Sequence, residues 1–263
     1  MDTLNQGPQI PTDLHVSAIV QIGKINATIN LNELARALNT SSTVLYLEFG
    51  SSVIKGNNPK KSKRKHKSKK EKKFFYNQVT IHLPREDDKR VNMKIFNNGT
   101  VQMTGIVKET QGLEKIHDLV REVNNLSIED RKAIFDTTDV IKYENETDTV
   151  LINSDFDIGF DLNREALHRL IIQAGYYSSY EPCIYPGVNI KYYCNALQNN
   201  LGICDCDKPC DGKGKDNTCK RITIAAFKSG KIIITGGRSH DNIATAYNFI
   251  TDFIHANVHE IKY

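Results

Sequence analysis

The chain has 263 residues, 39% of them hydrophobic and 25% charged, which is the composition of an ordinary globular protein with one large domain or two small ones. No apolar run approaches the roughly 18 residues that a membrane span needs. The N-terminal segment MDTLNQGPQIPTDLH also lacks the basic start and apolar stretch of a secretory signal. From these features we expect a soluble intracellular protein, with its cysteines in a reducing compartment.

The net charge of +4 is distributed unevenly along the chain. The run from Lys60 to Lys73 (KKSKRKHKSKKEKK) holds ten Lys or Arg and one acid, a local charge of +9, so the remainder carries −5. We expect this run to be a disordered, solvated loop. It is suited either to binding phosphates without sequence preference or to acting as a nuclear import signal. Because the rest of the chain is mildly acidic, any nucleic-acid surface there must be a local patch.

Two segments of the sequence repeat 131 residues apart, MKIFNNGTVQMTG at 93–105 and IAAFKSGKIIITG at 224–236. Each predicts a β-hairpin with a glycine in its tight turn. Upstream, INLN from residue 29 and FDLN from residue 160 each predict the start of a helix. A longer helix follows each hairpin, with apolar residues at matching spacings: Leu113, Ile116, Leu119 and Val123, then Ala244, Tyr247, Ile250 and Ile254.

Each half of the chain is therefore predicted to contain a strand, a helix, several strands and a long helix. We expect a disordered N-terminus (1–13), a first repeat (14–125), an acidic linker (126–148) and a second repeat (149–263). The first repeat carries a Lys-rich insertion at about 50–74 and the second a Cys-rich insertion at about 194–220. Counted from Ile29 and from Phe160, the two insertions are equal in length, which keeps the period at 131.

Motifs of the second repeat identify a family resemblance. Ser178-Ser-Tyr-Glu-Pro182, Tyr185-Pro-Gly187 and the string FKSGKIIITG from Phe227 resemble the C-terminal repeat of the TATA-box-binding protein family. The string FNNGTVQMTG from Phe96 is similar to the matching part of the family's first repeat. The resemblance covers most of residues 15–125 and 150–258, and it is more specific in the second repeat.

The resemblance implies an α+β fold in which two pseudo-symmetric repeats form one curved antiparallel sheet, a saddle with helices on its convex face. It also implies a non-enzymatic transcription initiation factor whose concave face binds and bends the A/T-rich minor groove of double-stranded DNA, by the wedging mechanism of that family. A transcription factor IIB-like initiation factor and the RNA polymerase machinery are the implied partners. Such a protein acts in the nucleus or, if viral, at a cytoplasmic replication site or in the virion.

The resemblance also implies roles for individual residues, according to their positions in the matching segments. Phe96 and Phe227 become wedges that unstack a base step, and Tyr76 and Tyr185 their partners. Asn153 falls close to the family's central asparagine, and Lys191 on a phosphate-contacting position. The other implied DNA-facing residues lie on the hairpins: Gln102, Thr104, Lys231, Ile233 and Thr235. The implied partner-binding residues lie in the 178–187 loop: Glu181, Pro182 and Pro186.

The first repeat departs further from the family than the second. Both wedge partners are tyrosines, whose hydroxyls need a hydrogen-bond partner inside a base step. Phe74 or Phe75 could serve as the first wedge instead of Tyr76. Gln102 replaces an apolar residue, His82 an arginine, Thr100 a lysine and Ala18 an asparagine. These departures put TATA specificity in question while leaving the fold prediction intact.

Four cysteines of the second insertion are spaced C-x-C-x3-C-x8-C at Cys204, Cys206, Cys210 and Cys219. Four thiolates in a short polar loop match the ligand set of one structural zinc ion, and Gly212 and Gly214 would let the chain turn around it. The spacing is not that of paired C-x2-C knuckles, so free thiols and two disulfides are the alternatives. Cys183 and Cys194 stand apart and are interpreted as packing residues.

Three functions compete at this stage. The first is a minor-groove promoter-binding factor, and the second is a saddle that has lost specific DNA recognition and binds initiation factors. The third is an enzyme, because related sheet-and-helix units occur in some DNA-repair glycosylases. The sequence shows no nucleophile–base constellation, phosphate loop or paired catalytic carboxylates, so the enzyme ranks last.

Overall fold

The computed structural model describes residues 13–58, 75–195, 201–208, 210–214 and 218–263. It divides into two compact units, the first formed by Ile19–Thr149 and the second by the residues up to Ala18 together with Val150–Tyr263. The lysine run, Phe74 and nearly all of the predicted N-terminal tail lie outside the described residues. Within the described part of the chain, no helix is long and apolar enough to cross a membrane.

The first unit is an antiparallel sheet with the strand order β3-β2-β4-β5-β6-β1. Helices α1 and α2 cover one face of this sheet, where β4, β5 and β6 bury alternate side chains. In chain order its elements are β1 (His15–Lys24), α1 (Leu31–Ala37), β2 (Tyr46–Phe49), β3 (Val53–Gly56), β4 (Gln78–Pro84), β5 (Arg90–Phe96), β6 (Thr100–Ile106), α2 (Thr110–Asn124) and α3 (Ile128–Phe135).

The second unit repeats this plan with the antiparallel strand order β7-β11-β10-β9-β8. Helix α5 packs on β10 and β11, and α4 packs on β8 and β9. Its elements are β7 (Asp148–Asp157), α4 (Arg164–Gln173), β8 (Tyr177–Ser179), β9 (Val188–Cys194), β10 (Lys220–Ala226), β11 (Lys231–Gly237), α5 (His240–Ala256) and α6 (Val258–Ile261). The predicted α+β fold class, with antiparallel strands and covering helices, is confirmed.

The two glycine turns have matching geometry. Gly99 has φ 81° and Gly230 has φ 83°, and each donates its N–H to the carbonyl of the phenylalanine three residues earlier, at 3.1 Å in both turns. The turns also receive matching bonds from the segments before α1 and α4, from Ile29 N to Asn97 O and from Leu162 N to Lys228 O, both 2.7 Å. The repeated sequence therefore specifies a repeated turn and a repeated contact.

The upstream alignment of the repeats needs a correction of two residues. Asn30 caps α1 and Asn163 caps α4, so the halves are offset there by 133 residues and Ile29 corresponds to Leu162, not to Phe160. Across the next strands, Val79 corresponds to Val188, an offset of 109. The insertions therefore add 24 residues to the first repeat and 22 to the second, and the equality inferred from Ile29 and Phe160 was wrong.

Two local predictions also differ from the structure. The segment expected to be a weakly patterned linker contains α3, whose first turn is capped by Ser127 and whose Ile134 and Phe135 are buried. In α5, Ile243 and Ala246 occupy the buried positions near the start of the helix, and Ala244 and Tyr247 are only half-buried. The predicted Ile250 and Ile254 are buried, so the 131-residue spacing missed the buried stripe only in the first two turns of α5.

We predict that Gly230→Ala destabilises the second unit more than Gly159→Ala does. Both glycines have positive φ (83° and 78°), so both substitutions carry a conformational cost of about 1–3 kcal/mol. A Cβ at position 230 would lie 2.4 Å from the carbonyl oxygen of Phe160, whereas at position 159 it meets nothing within 4 Å. Urea unfolding measures the difference in free energy of unfolding, and equal losses for the two variants would contradict the docked turn.

Candidate nucleic-acid interface

In each unit, the strand residues predicted to face DNA lie on the sheet face that the helices leave uncovered, here called the open face. On β6, Val101 and Met103 are fully buried, while the side chains of Gln102 and Thr104 alternate with them and are half-exposed. On β11, Ile232 and Ile234 are fully buried, and the half-exposed residues are Lys231, Ile233 and Thr235. In both units, strand alternation thus places one set of side chains in the core and the intervening set on the open face, at equivalent positions.

At one edge of the second unit's open face, Tyr185 and Phe227 form an aromatic pair. Their ring centroids are 5.8 Å apart with planes at 64°, an edge-to-face arrangement. The pair closes over Gly187, where an added Cβ would lie 3.0 Å from the Tyr185 ring and 3.1 Å from the Phe227 ring. The side chain at 227 is half-buried and Tyr185 is exposed, so the pair presents an aromatic edge to solvent.

The first unit arranges its aromatic residues differently. The Tyr76 ring packs edge-on against Phe49, with centroids 6.3 Å apart, and its hydroxyl lies 3.1 Å from the Ser51 hydroxyl. Phe96 is half-exposed and pairs across the strands with Gln78. Of the alternative wedges, Phe75 is exposed, and Phe74 lies outside the described residues.

Polar groups on the second open face are tied to one another. The Thr235 hydroxyl donates to Asn153 Oδ1, and these residues are partners across β11 and β7. The Lys191 ammonium donates to the Thr223 hydroxyl at 2.9 Å, and burial together with nearby Arg221 lowers the pKa of Lys191. These residues form a patch of small polar groups bordered by cations.

The matching polar position in the first unit is occupied by Val20. Val20 lies opposite Thr104 across β1 and β6, as Asn153 lies opposite Thr235. Ala18, which was expected to replace an asparagine of the resemblance, is therefore not the counterpart of Asn153. His82, in the place of an implied arginine, is buried and its Nε2 lies 2.9 Å from Asn92 Nδ2.

Asp155 places an acid on the second open face. Its carboxylate pairs with Lys231 and lies 3.6 Å from His15 Nδ1. Burial favours the neutral acid, but the Lys231 ammonium and His15 outweigh it, so the pKa of Asp155 is held below its ordinary value. The negative charge of Asp155 on the open face is therefore neutralised by its partner Lys231.

The 178–187 loop extends from the same unit as an exposed turn. Glu181 O accepts the N–H groups of Ile184 and Tyr185, both at 2.9 Å, and Glu181, Pro182 and Pro186 are exposed. Arg164 of α4 donates to Pro186 O and stacks on the Tyr180 ring at 5.2 Å. A helix thus holds the loop while its tip remains accessible to a partner.

The four cysteines of the second insertion converge, and their Sγ atoms all lie within 4.8 Å of one another. Cys204 Sγ lies 3.5 Å from Cys210 Sγ, and Cys206 Sγ 3.5 Å from Cys219 Sγ. A tetrahedral zinc ion with Zn–S bonds of about 2.3 Å places its sulfurs about 3.8 Å apart. Backbone N–H groups of Cys206 and Cys210, together with the Cys210 thiol, lower the pKa of Cys204 to about 7. The cluster could hold a metal ion.

Comparisons with known proteins agree with the fold. A family model described as "Transcription factor TFIID (or TATA-binding protein, TBP)" matches residues 149–256. A "TATA-box-binding protein-like" protein of Acanthamoeba polyphaga mimivirus is 26% identical over 264 residues, covering 95% of this chain and 67% of the viral protein. The chain is thus similar to members of the TATA-box-binding-protein family, with the family-model match in its second unit. The solved structure of Methanococcus jannaschii TBP has a similar fold, with a TM-score of 0.55 and 20% identity over 93% of this chain and 99% of that one.

The match to the family model falls on the second unit. Residues 149–256 include Asn153, Tyr185, Phe227 and Thr235, and the Cys-rich insertion lies within the same range. In the first unit, Val20 and Gln78 stand where the second unit has Asn153 and Gly187. The two open faces thus differ at these positions.

Sequence reasoning missed several residues that define these sites. Gly187 and Gln78 each lie two residues after a tyrosine, Tyr185 or Tyr76, and directly before a buried valine. This shared spacing is a sequence signal that could have identified them as equivalent positions. Phe49 and Asp155 had no such signal. Phe49 meets Tyr76 only in the folded chain, and Asp155 joins the open face only through the register of β7 with β11.

We predict that the pKa of the Asp155 carboxyl lies below the ordinary value of an aspartic acid in the native protein, and that Lys231→Met raises it. Removing the ammonium leaves burial opposed only by His15. At pH values above the pKa of the unfolded state, the lowered pKa of Asp155 stabilises the fold. That contribution is lost as the pH falls through the pKa of the folded state. Carboxyl-detected NMR titration measures both midpoints, with Lys228→Met on the adjacent turn as control. An unchanged midpoint in Lys231→Met would show that the pair does not set the pKa.

Proposed function

We propose that this protein is a non-catalytic transcription initiation factor that binds double-stranded DNA through its open faces and bends it at the minor groove. The observation that carries the proposal is the Tyr185–Phe227 pair at the edge of an open face that also bears Asn153 and Thr235. An exposed aromatic edge beside a weakly polar sheet suits a protein that reads a shallow pattern of acceptors and pries apart a base step.

The chemistry of the open face fits the minor groove of A·T pairs. Such pairs present only acceptors there, adenine N3 and thymine O2. Asn153 Oδ1 accepts from Thr235, which leaves the Asn153 amide NH2 to donate to those acceptors. Ile233, next on the same face, offers an apolar surface to the groove floor. In the first unit, Thr104 and Gln102 supply the polar groups and Val20 an apolar one.

Cations at the margin of the second face are available for phosphates. Arg221 is exposed, and Lys191 lies beside it, bonded to Thr223. Lys231 neutralises Asp155, which would otherwise repel the phosphate backbone. Contacts of this kind position a protein on the duplex without specifying sequence. The lysine run at 60–73 would add nonspecific affinity that weakens with salt.

The 178–187 loop is the proposed contact for a second initiation factor, similar to transcription factor IIB, within the RNA polymerase machinery. Its tip combines the carboxylate of Glu181 with exposed Pro182 and Pro186, and Ile184 is 80% exposed. The same exposure supports the second candidate function, an interaction platform that has lost specific DNA recognition. The protein would act in the nucleus or, in a viral infection, at a cytoplasmic replication site or in the virion.

We predict that Phe227→Ala abolishes DNA bending and weakens binding to a selected sequence. The wedge recovers the few kcal/mol spent on unstacking by bringing more sheet surface into the groove, so its loss removes that gain. Duplexes selected from a random pool, labelled at both ends, report the bend by fluorescence energy transfer. Tyr263→Ala, which removes an exposed aromatic residue elsewhere, is the matched control. If the wild-type protein selects no sequence and bends none, the interaction platform becomes the supported function.

We also propose that Cys204, Cys206, Cys210 and Cys219 hold one structural zinc ion. Sulfur spacings of 3.5–3.9 Å for the nearest pairs fit a tetrahedral thiolate site. Gly212 and Gly214, with φ of 71° and 65°, turn the chain beside it, and Gly212 O accepts the N–H of Arg221. Zinc would thereby anchor the insertion to the start of β10.

If the four cysteines bind zinc, protein purified without chelators should contain about one equivalent of zinc per chain. Cys206→Ser should lose the metal and lower the thermal midpoint, because three remaining thiolates leave the site incomplete. Cys183→Ser, which changes an exposed thiol outside the cluster, should retain the full equivalent. Elemental analysis measures the ratio. Metal-free protein with two disulfides, or with four freely titrating thiols, would rule the site out.

A further inference from the structure

We propose that the two repeats deform DNA unequally, with a strong kink at the second repeat only, and that Gly187 and Gln78 determine this difference. The inference rests on the proposed function, since it concerns how the open faces act on DNA. It follows from a comparison of equivalent positions in the two units, each considered by itself.

In the second unit, the aromatic pair is assembled before any DNA binds. Gly187 and Phe227 lie just beyond the last pair of β9 and β10, Val188 with Ala226, and the absence of a side chain at Gly187 lets the Tyr185 ring reach Phe227. The surrounding backbone is held by the bonds from Tyr185 N to Glu181 O and from Arg164 to Pro186 O. A wedge that is already ordered loses little conformational entropy when it enters a base step.

In the first unit, Gln78 occupies the position that corresponds to Gly187. It follows Tyr76 by two residues, as Gly187 follows Tyr185, and it is the cross-strand partner of Phe96. Its amide nitrogen donates to the Thr80 hydroxyl at 3.3 Å, which keeps the side chain over the strand. The Gln78 side chain therefore lies at the position where, in the second unit, the absence of a side chain leaves space for the rings of Tyr185 and Phe227.

Tyr76 is held in an alternative position. Its ring lies against Phe49 and over Gly50, where an added Cβ would be 2.5 Å from the ring, and its hydroxyl pairs with Ser51. To join Phe96, the tyrosine must give up these contacts and Gln78 must move aside. Because unstacking a base step already costs a few kcal/mol, the added reorganisation makes a kink at this end unfavourable.

Unequal kinking has a consequence for sequence choice. Pyrimidine–purine steps such as TA and CA/TG are the most easily kinked. We therefore expect selected duplexes to require such a step only under the Tyr185–Phe227 pair and to tolerate stiffer steps under Phe96. The position of that step would set the orientation in which the protein lies on DNA.

The experiment uses the full-length protein and a selected duplex that carries 2-aminopurine at one end step or the other, because the fluorescence of this base rises when it is unstacked. Wild type should give a rise at one step only, and Phe227→Ala should remove it. Gln78→Gly should add a rise at the other step, since the obstruction to a Tyr76–Phe96 pair is gone. Gly187→Gln should abolish the first rise. If the larger side chain prevents that variant from folding, Gly187→Ala is the substitute, and it should reduce the rise.

The outcomes separate the two proposals. Equal rises at both steps in wild type, or a rise only at the step assigned to Phe96, would overturn the unequal-kink inference while leaving DNA binding intact. Gln78→Gly and Gly187→Gln variants that fold and behave as wild type would also overturn it. Failure to select any duplex, or bound duplexes without unstacking at either step, would instead contradict the proposed function on which the inference rests.

Discussion

Both units depend on the register of a hairpin fixed by a left-handed glycine. Gly99 and Gly230 set the turns between β5 and β6 and between β10 and β11, and the turns dock on the chain segments before α1 and α4. A slip of one residue would exchange the buried and open faces of the flanking strands. The glycine turns therefore determine that Met103 and Ile234 join the core while Thr104 and Thr235 remain on the open face.

Once the register is fixed, the chemistry of each open face depends on a few substitutions. Asn153 with Thr235, and Tyr185 with Phe227, give the second unit a bonded polar patch and an assembled aromatic edge. Val20 and Gln78 remove the equivalents from the first unit without altering its strands. The fold is thus preserved where the site has diverged, because open-face positions contribute little to the core that maintains the fold.

The repeat, the fold class and the convergence of the cysteines followed from local patterns in the sequence, since hairpin turns and short cysteine spacings are encoded within a few residues. The exact alignment did not, because the offset changes from 133 to 131 across the insertions and no local signal marks the change. Helix α3 was missed in an acidic segment whose buried residues, Ile134 and Phe135, lack a periodic pattern. Contacts between distant segments, such as Tyr76 with Phe49, required the folded chain.

The central claim is that the open faces contact the minor groove of DNA, and methylation protection tests it most directly. Dimethyl sulfate methylates adenine at N3, in the minor groove, and guanine at N7, in the major groove, so one reagent probes both grooves. With a selected duplex bound, the account predicts protection of adenine N3 within the site and unchanged reactivity of guanine N7. Protection of guanine N7 with adenine N3 left reactive would place the protein in the major groove and contradict the account.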